Sequence, residues 1–86
     1  MTKREVKEIF DRDLLVRLDS VIWFIKNDSR NNARREVNNA MRLVWTANSL
    51  KIISFKEWKT INEMLHELEF KLSFSGWWQE VKETTY

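Results

Sequence analysis

The chain contains no cysteine, no proline, one glycine (Gly76) and one histidine (His66). Without cysteine there is no disulfide staple, no thiolate metal ligand and no thiol nucleophile. Hairpin turns draw on glycine and proline, and a barrel or sandwich needs such a turn roughly every 8–12 residues, so an all-β fold is excluded. A single glycine also rules out a glycine-rich phosphate loop. One histidine leaves every serine in the chain with at most one base to activate it. The longest uncharged apolar run, Val21–Ile25, falls far short of the roughly 20 residues that cross a bilayer. The segment Thr2–Glu8 lacks the apolar stretch of a signal peptide. These absences lead to the expectation of a soluble, cytoplasmic protein without chemistry of its own.

What is present is bulk. Of 86 residues 43% are hydrophobic, and five are Trp and five Phe. That share is too high for a disordered tail, and the length predicts one domain. A chain of this size forms only a marginal core unaided, so some of its aromatic surface is a candidate for burial by another chain. Fifteen basic residues against thirteen acidic give a net charge of +2, a weak argument for nucleic acid.

Hydrophobic spacing predicts an all-α fold. Thr2 with Glu5 forms a capping box, and Val6, Phe10, Leu14, Leu18, Val21 and Ile25 then recur every three or four residues. This first helix, about 3–27, ends at Asn27-Asp28-Ser29, where Asp28 or Ser29 is expected to cap a second helix over about 29–50. So short a connection makes the two helices antiparallel neighbours. The second carries Ala33, Val37, Ala40, Val44 and Ala47 on one line, small enough for close backbone approach. Ser54 with Glu57 is another capping box and opens a third helix, about 54–72, with Phe55, Trp58, Ile61, Leu65, Leu68 and Leu72 inward. An antiparallel three-helix bundle with a short Trp-rich helical extension, about 74–83, is predicted. Either Gly76 caps the third helix or that helix continues through it.

More apolar surface is present than three helices require. Ile9, Val16 and Trp23 are spaced by seven, about 180° from the Leu14/Leu18 line, with Leu15 and Ile22 on a flank. Phe70, Phe74, Trp77 and Val81 form a second stripe about 150° from the Leu65–Leu72 line, with Trp78 beside it. A helix apolar on two faces is either sandwiched or shared with another chain. In the intramolecular alternative the first helix is central, covered by the second on one side and by the third and the Trp tail on the other. In the other alternative, a partner chain or a second copy covers a stripe. Ile9, Val16, Trp23, Phe70, Phe74, Trp77, Trp78 and Val81 are the candidate protein-binding residues, Trp being a frequent interface anchor.

A polar surplus lies on the second helix. Asn31, Arg35, Asn38 and Arg42 run opposite the Ala/Val line, with Arg30 and Arg34 flanking and Lys26 just before the turn. Arg and Asn are the side chains that bond bidentately to guanine and adenine edges. Asn is also a poor helix former. This face is the alternative candidate for binding nucleic acid, although Glu36 dilutes its charge. Glu63 and His66 spell Glu-x-x-His, half of a di-metal motif whose second copy is missing. No metal or other cofactor is expected. The Trp-bearing tail has mixed charge rather than the basic face that favours anionic lipid. The expected function is that of a small accessory, regulatory or inhibitory protein-binding factor, self-associating as a homodimer or seated on another chain.

Overall fold

The computed structural model describes residues 1–85, with the side chains of Ser75, Gly76, Trp77, Thr84 and Thr85 outside the described set. Four helices follow one another: α1 (Lys3–Lys26), α2 (Arg30–Ser49), α3 (Phe55–Ser73) and α4 (Ser75–Thr85). Helix makes up 86% of the chain, with no strand among the described residues. The predicted three-helix bundle with a short C-terminal helix is what forms.

Of the two expected capping boxes only Ser54 with Glu57 is reciprocal; at Thr2 the hydroxyl caps the helix and also donates to the Glu5 carboxylate, which does not reach the Thr2 amide. Thr2 accepts from the Glu5 amide at 3.1 Å and starts α1. Ser54 accepts from the Glu57 amide at 3.1 Å while the Glu57 carboxylate takes the Ser54 amide, satisfying two otherwise orphaned donors of α3. The helix ends are closed differently. At the end of α1 the Ser29 amide bonds to the Phe24 carbonyl and the Asp28 amide to the Ile25 carbonyl. At the end of α2 the Ile52 amide bonds to the Ala47 carbonyl and the Lys51 amide to the Asn48 carbonyl. This is the Schellman pattern, in which one residue turns left-handed, usually glycine. In this glycine-poor chain Asp28 (φ 57°) and Lys51 (φ 59°) take that conformation. Asp28 is therefore a helix C-terminal residue rather than a cap for α2. Ser29 takes the N-cap position without a side-chain bond.

The core follows the expected lines. Ala33, Val37, Ala40 and Val44 are fully buried, with Phe10, Val21 and Ile25 from α1 and Leu65 and Leu72 from α3 around them. α1 and α3 both pack along α2. The second helix, not the first, therefore takes the middle, because its alanine line lets two neighbours approach at once. Arg17 pairs with Glu36 at 3.4 Å and Arg34 with Glu69 at 3.5 Å across these two antiparallel contacts. At the opposite end from the α1–α2 turn, Lys7 of α1 meets Glu57 of α3 at 3.0 Å.

α3 neither continues nor ends at glycine. Phe74 is extended (φ −113°, ψ 122°) and separates α3 from α4, while Ser73 donates to the carbonyl and carboxylate of Glu69, both at 2.8 Å. Gly76 lies inside α4 and is not left-handed. The break turns α4 back against α1 and α3. Val81, expected on an outward stripe shared with Phe70 and Phe74, rotates into the core and is 7% exposed. Phe55, expected inside, is exposed on the first turn of α3 and lies against Trp58 at 5.5 Å between ring centroids. The bundle measures 43 × 20 × 18 Å, with a radius of gyration of 13.7 Å. A compact chain of this length has a radius near 12 Å. Its accessible surface of 6155 Å² likewise exceeds the roughly 5,400 Å² typical of a monomer of this mass.

Candidate protein-binding surface

Among the described residues α1 carries more exposed large apolar side chains than any other helix. Leaving its inner face to α2, this helix turns Ile9, Leu15, Val16, Ile22 and Trp23 outward. The most exposed of them are far from buried: Leu15 is 59%, Val16 58% and Trp23 60% exposed. Trp23 touches Phe24 edge to face at 5.3 Å, which steadies its indole. α1 is 24 residues long, so the stripe extends along a rod of about 36 Å. Beside Val16, the crease between α1 and α2 opens into a hollow of about 310 Å³ lined also by Asp13, Arg17, Asn39 and Leu43. Arg12 and Asp19 lie between the two apolar edges of this face and are exposed.

The second apolar stripe is divided by the fold. Phe70 and Phe74 remain half-exposed at the α3–α4 elbow, with ring centroids 4.8 Å apart. Trp78 is turned inward: it packs against the core, and its Nε1 donates to Asp28 Oδ1 at 3.0 Å. Lys82 reaches the same carboxylate oxygen at 3.1 Å and lies over the Trp78 ring at 5.9 Å. The Lys82 hydrogen bond, then that of Trp78, holds the Asp28 carboxyl below its ordinary pKa. Trp78 and Val81 thus fasten α4 to the bundle, and the Trp77 side chain lies outside the described residues. The stripe divides because its spacing assumed one continuous helix, which Phe74 interrupts. Nothing local announces the anchor at Asp28, whose two partners lie some fifty residues away.

The polar face of α2 is assembled as its spacing suggests. Asn31, Arg35, Asn38 and Arg42 are exposed, and with Arg34 and Asn39 they line a groove of about 470 Å³. Arg34 is engaged with Glu69 through Nη2, and its Nε is buried without a partner among the described residues. Arg30 is half-buried at the start of α2, and Lys26 is exposed at the end of α1. Asn38 and Arg42 also border a hollow of about 380 Å³ with Met41, Trp45, Asn62 and His66. Trp45 is mostly exposed there. His66 and Glu63 are exposed, and among the described residues no three His, Asp or Glu gather into a metal-holding group. No helix among the described residues is long and apolar enough to cross a membrane.

No protein-family profile, curated protein or solved structure matches this chain. The functional reading therefore rests on the surface itself.

Proposed function

We propose that this chain is a cytoplasmic, non-enzymatic protein-binding factor, accessory, regulatory or inhibitory in role, that works by burying the outer face of α1 against a helix or groove of another protein chain. One observation carries the reading: Leu15, Val16 and Trp23 each remain more than half exposed on a single face of a helix whose opposite face is already fully used. Two exposed apolar edges running along one helix, with only single charged residues between them, are the kind of surface that marks an interaction site. Affinity would come from the Trp23 and Val16 anchors, with the surrounding Lys, Arg and Glu setting the register. Phe70 and Phe74 offer a smaller secondary contact at the elbow.

The test compares immobilised wild-type chain with a Val16→Arg/Trp23→Arg double variant. Both sites are exposed, so helicity and melting temperature should be unchanged. A protein, this chain included, retained by the wild type and lost from the variant supports the reading. Equal retention by both overturns it.

A second reading rests on Arg42 and the exposed Trp45 sharing one hollow. A stacking ring beside a phosphate-seeking guanidinium is the minimal element for holding single-stranded nucleic acid. Here Arg35→Ala would weaken binding in a gel shift, and affinity would fall steeply with salt. No shift at low salt removes this reading.

A further inference from the structure

We infer that the occupant of the α1 face is a second copy of this chain, bound antiparallel about a two-fold axis that passes between the two α1 helices at the level of Leu15 and Val16. The inference rests on the protein-binding reading above and names its partner. Along the outward face apolar and charged residues alternate, and the two central charges are placed symmetrically about that point, whereas the counterpart of Trp23 in sequence is Glu8. Arg12 lies three residues before Leu15, and Asp19 three after Val16; Ile9 lies six before Leu15, and Ile22 six after Val16. At 100° per residue Arg12 and Asp19 fall about 20° apart, in the middle of the stripe.

Laid antiparallel on itself, the helix therefore sets Arg12 opposite Asp19 of the second copy, and Asp19 opposite its Arg12. The same alignment packs Leu15 on Leu15 along one edge and Val16 on Val16 along the other, and brings Ile9 of one copy to Trp23 of the other further out. Glu5 comes opposite Lys26 at each end. A parallel alignment would instead set Arg12 against Arg12 and Asp19 against Asp19, which like-charge repulsion disfavours. Within one copy Arg12 and Asp19 stand two turns apart, too far to pair with each other, and neither joins an ion pair among the described residues. An interface whose residues answer one another across a dyad is isologous, the arrangement of most homodimers.

Sedimentation equilibrium on wild type, Arg12→Asp, Asp19→Arg and an equimolar mixture of the two variants tests this, with circular dichroism confirming that each is folded. The wild type should dimerise at micromolar concentration, and each single reversal should raise the dissociation constant at least about tenfold. The mixture should recover the wild-type constant, because every facing pair is again of opposite charge. A wild type that stays monomeric at high micromolar concentration overturns the inference, as do single reversals without effect or a mixture that does not recover. If the wild type is monomeric but the Val16→Arg/Trp23→Arg variant still loses a retained protein, the dimer fails and the protein-binding reading stands.

Discussion

Trp78 donates its indole N–H to Asp28 at 3.0 Å, tying the last helix to the turn between the first two. Asp28 is also left-handed, at φ 57°, a conformation that Asp and Asn tolerate better than most residues. One residue thus closes α1 and receives α4. Its carboxyl titrates below the ordinary value, chiefly through Lys82 and then Trp78. A depressed folded-state pKa contributes stability that is present above the unfolded value of 3.8 and lost as pH falls through the folded one. The protection factors of α4 amides, corrected for the intrinsic exchange rate at each pH, should therefore fall on acidification below pH 3.8, ahead of those of the α2 amides. Asp28→Asn, which keeps an acceptor for Trp78 but drops the Lys82 ion pair, should remove this contribution. Identical acid profiles for α4 in the two proteins would count against Asp28 as the anchor.

The bridge between Lys7 and Glu57 has a separable partner in the Ser54 cap. The hydrogen bond to Glu57 raises the Lys7 pKa above 10.5, and the same bond lowers that of Glu57 below 4.5. The Lys7 contribution is present below 10.5 and lost as pH rises through the raised value; that of Glu57 is present above 4.5 and lost as pH falls through the lowered one. Both are in place near neutrality. The pair is substantially exposed, so Lys7→Met should cost under about 1 kcal/mol and less still in high salt. Glu57→Ala should cost more, since it also opens the capping box, by roughly 0.5–2 kcal/mol for a lost cap interaction. Urea titration at two ionic strengths measures both, and equal costs for the two variants would show the cap contributing nothing.

Buried and exposed apolar positions separate by stability. Val81 is nearly buried and Trp23 mostly exposed, although sequence spacing set both on outward faces. Val81→Ala should lower stability by about 1–2.5 kcal/mol. Trp23→Gln should change monomer stability by no more than about 0.5 kcal/mol. Thermal unfolding in dilute solution distinguishes them; a Trp23 variant that melts earlier than the Val81 variant would make α1's outer face structural.

Among the described residues Lys51 makes no second contact like those of Asp28. It is left-handed at φ 59° and exposed, where a Cβ costs on the order of 1 kcal/mol. Lys51→Gly should raise unfolding free energy by roughly 0.5–1 kcal/mol, less the entropy a glycine loses on folding. Chemical denaturation reads this directly, and a loss of stability would mean that the lysine side chain makes a contribution the closed turn does not account for.

Sequence by itself determined the helices and most of what they bury. Their ends were set by local chemistry: Thr2–Glu5 and Ser54–Glu57 satisfy orphan amides within one turn, and the 3.6-residue spacing of Phe10, Val21 and Ile25 or Val37, Ala40 and Val44 picks the inward face. Such signals span a few residues and are legible in one dimension. The exposed α1 stripe was legible too, because Ile9, Val16 and Trp23 repeat on one straight helix. Only the tertiary structure decided which helix is central and where the Trp tail goes. The alanine line admits two neighbours to α2, a consequence visible only once three helices compete for the same space. The destination of Val81 and Trp78 depended on one extended residue, Phe74, which ends a helix whose spacing reads as continuous, and on Asp28, fifty residues away. A broken helix rotates everything beyond it, and no periodicity measured along the chain carries that rotation.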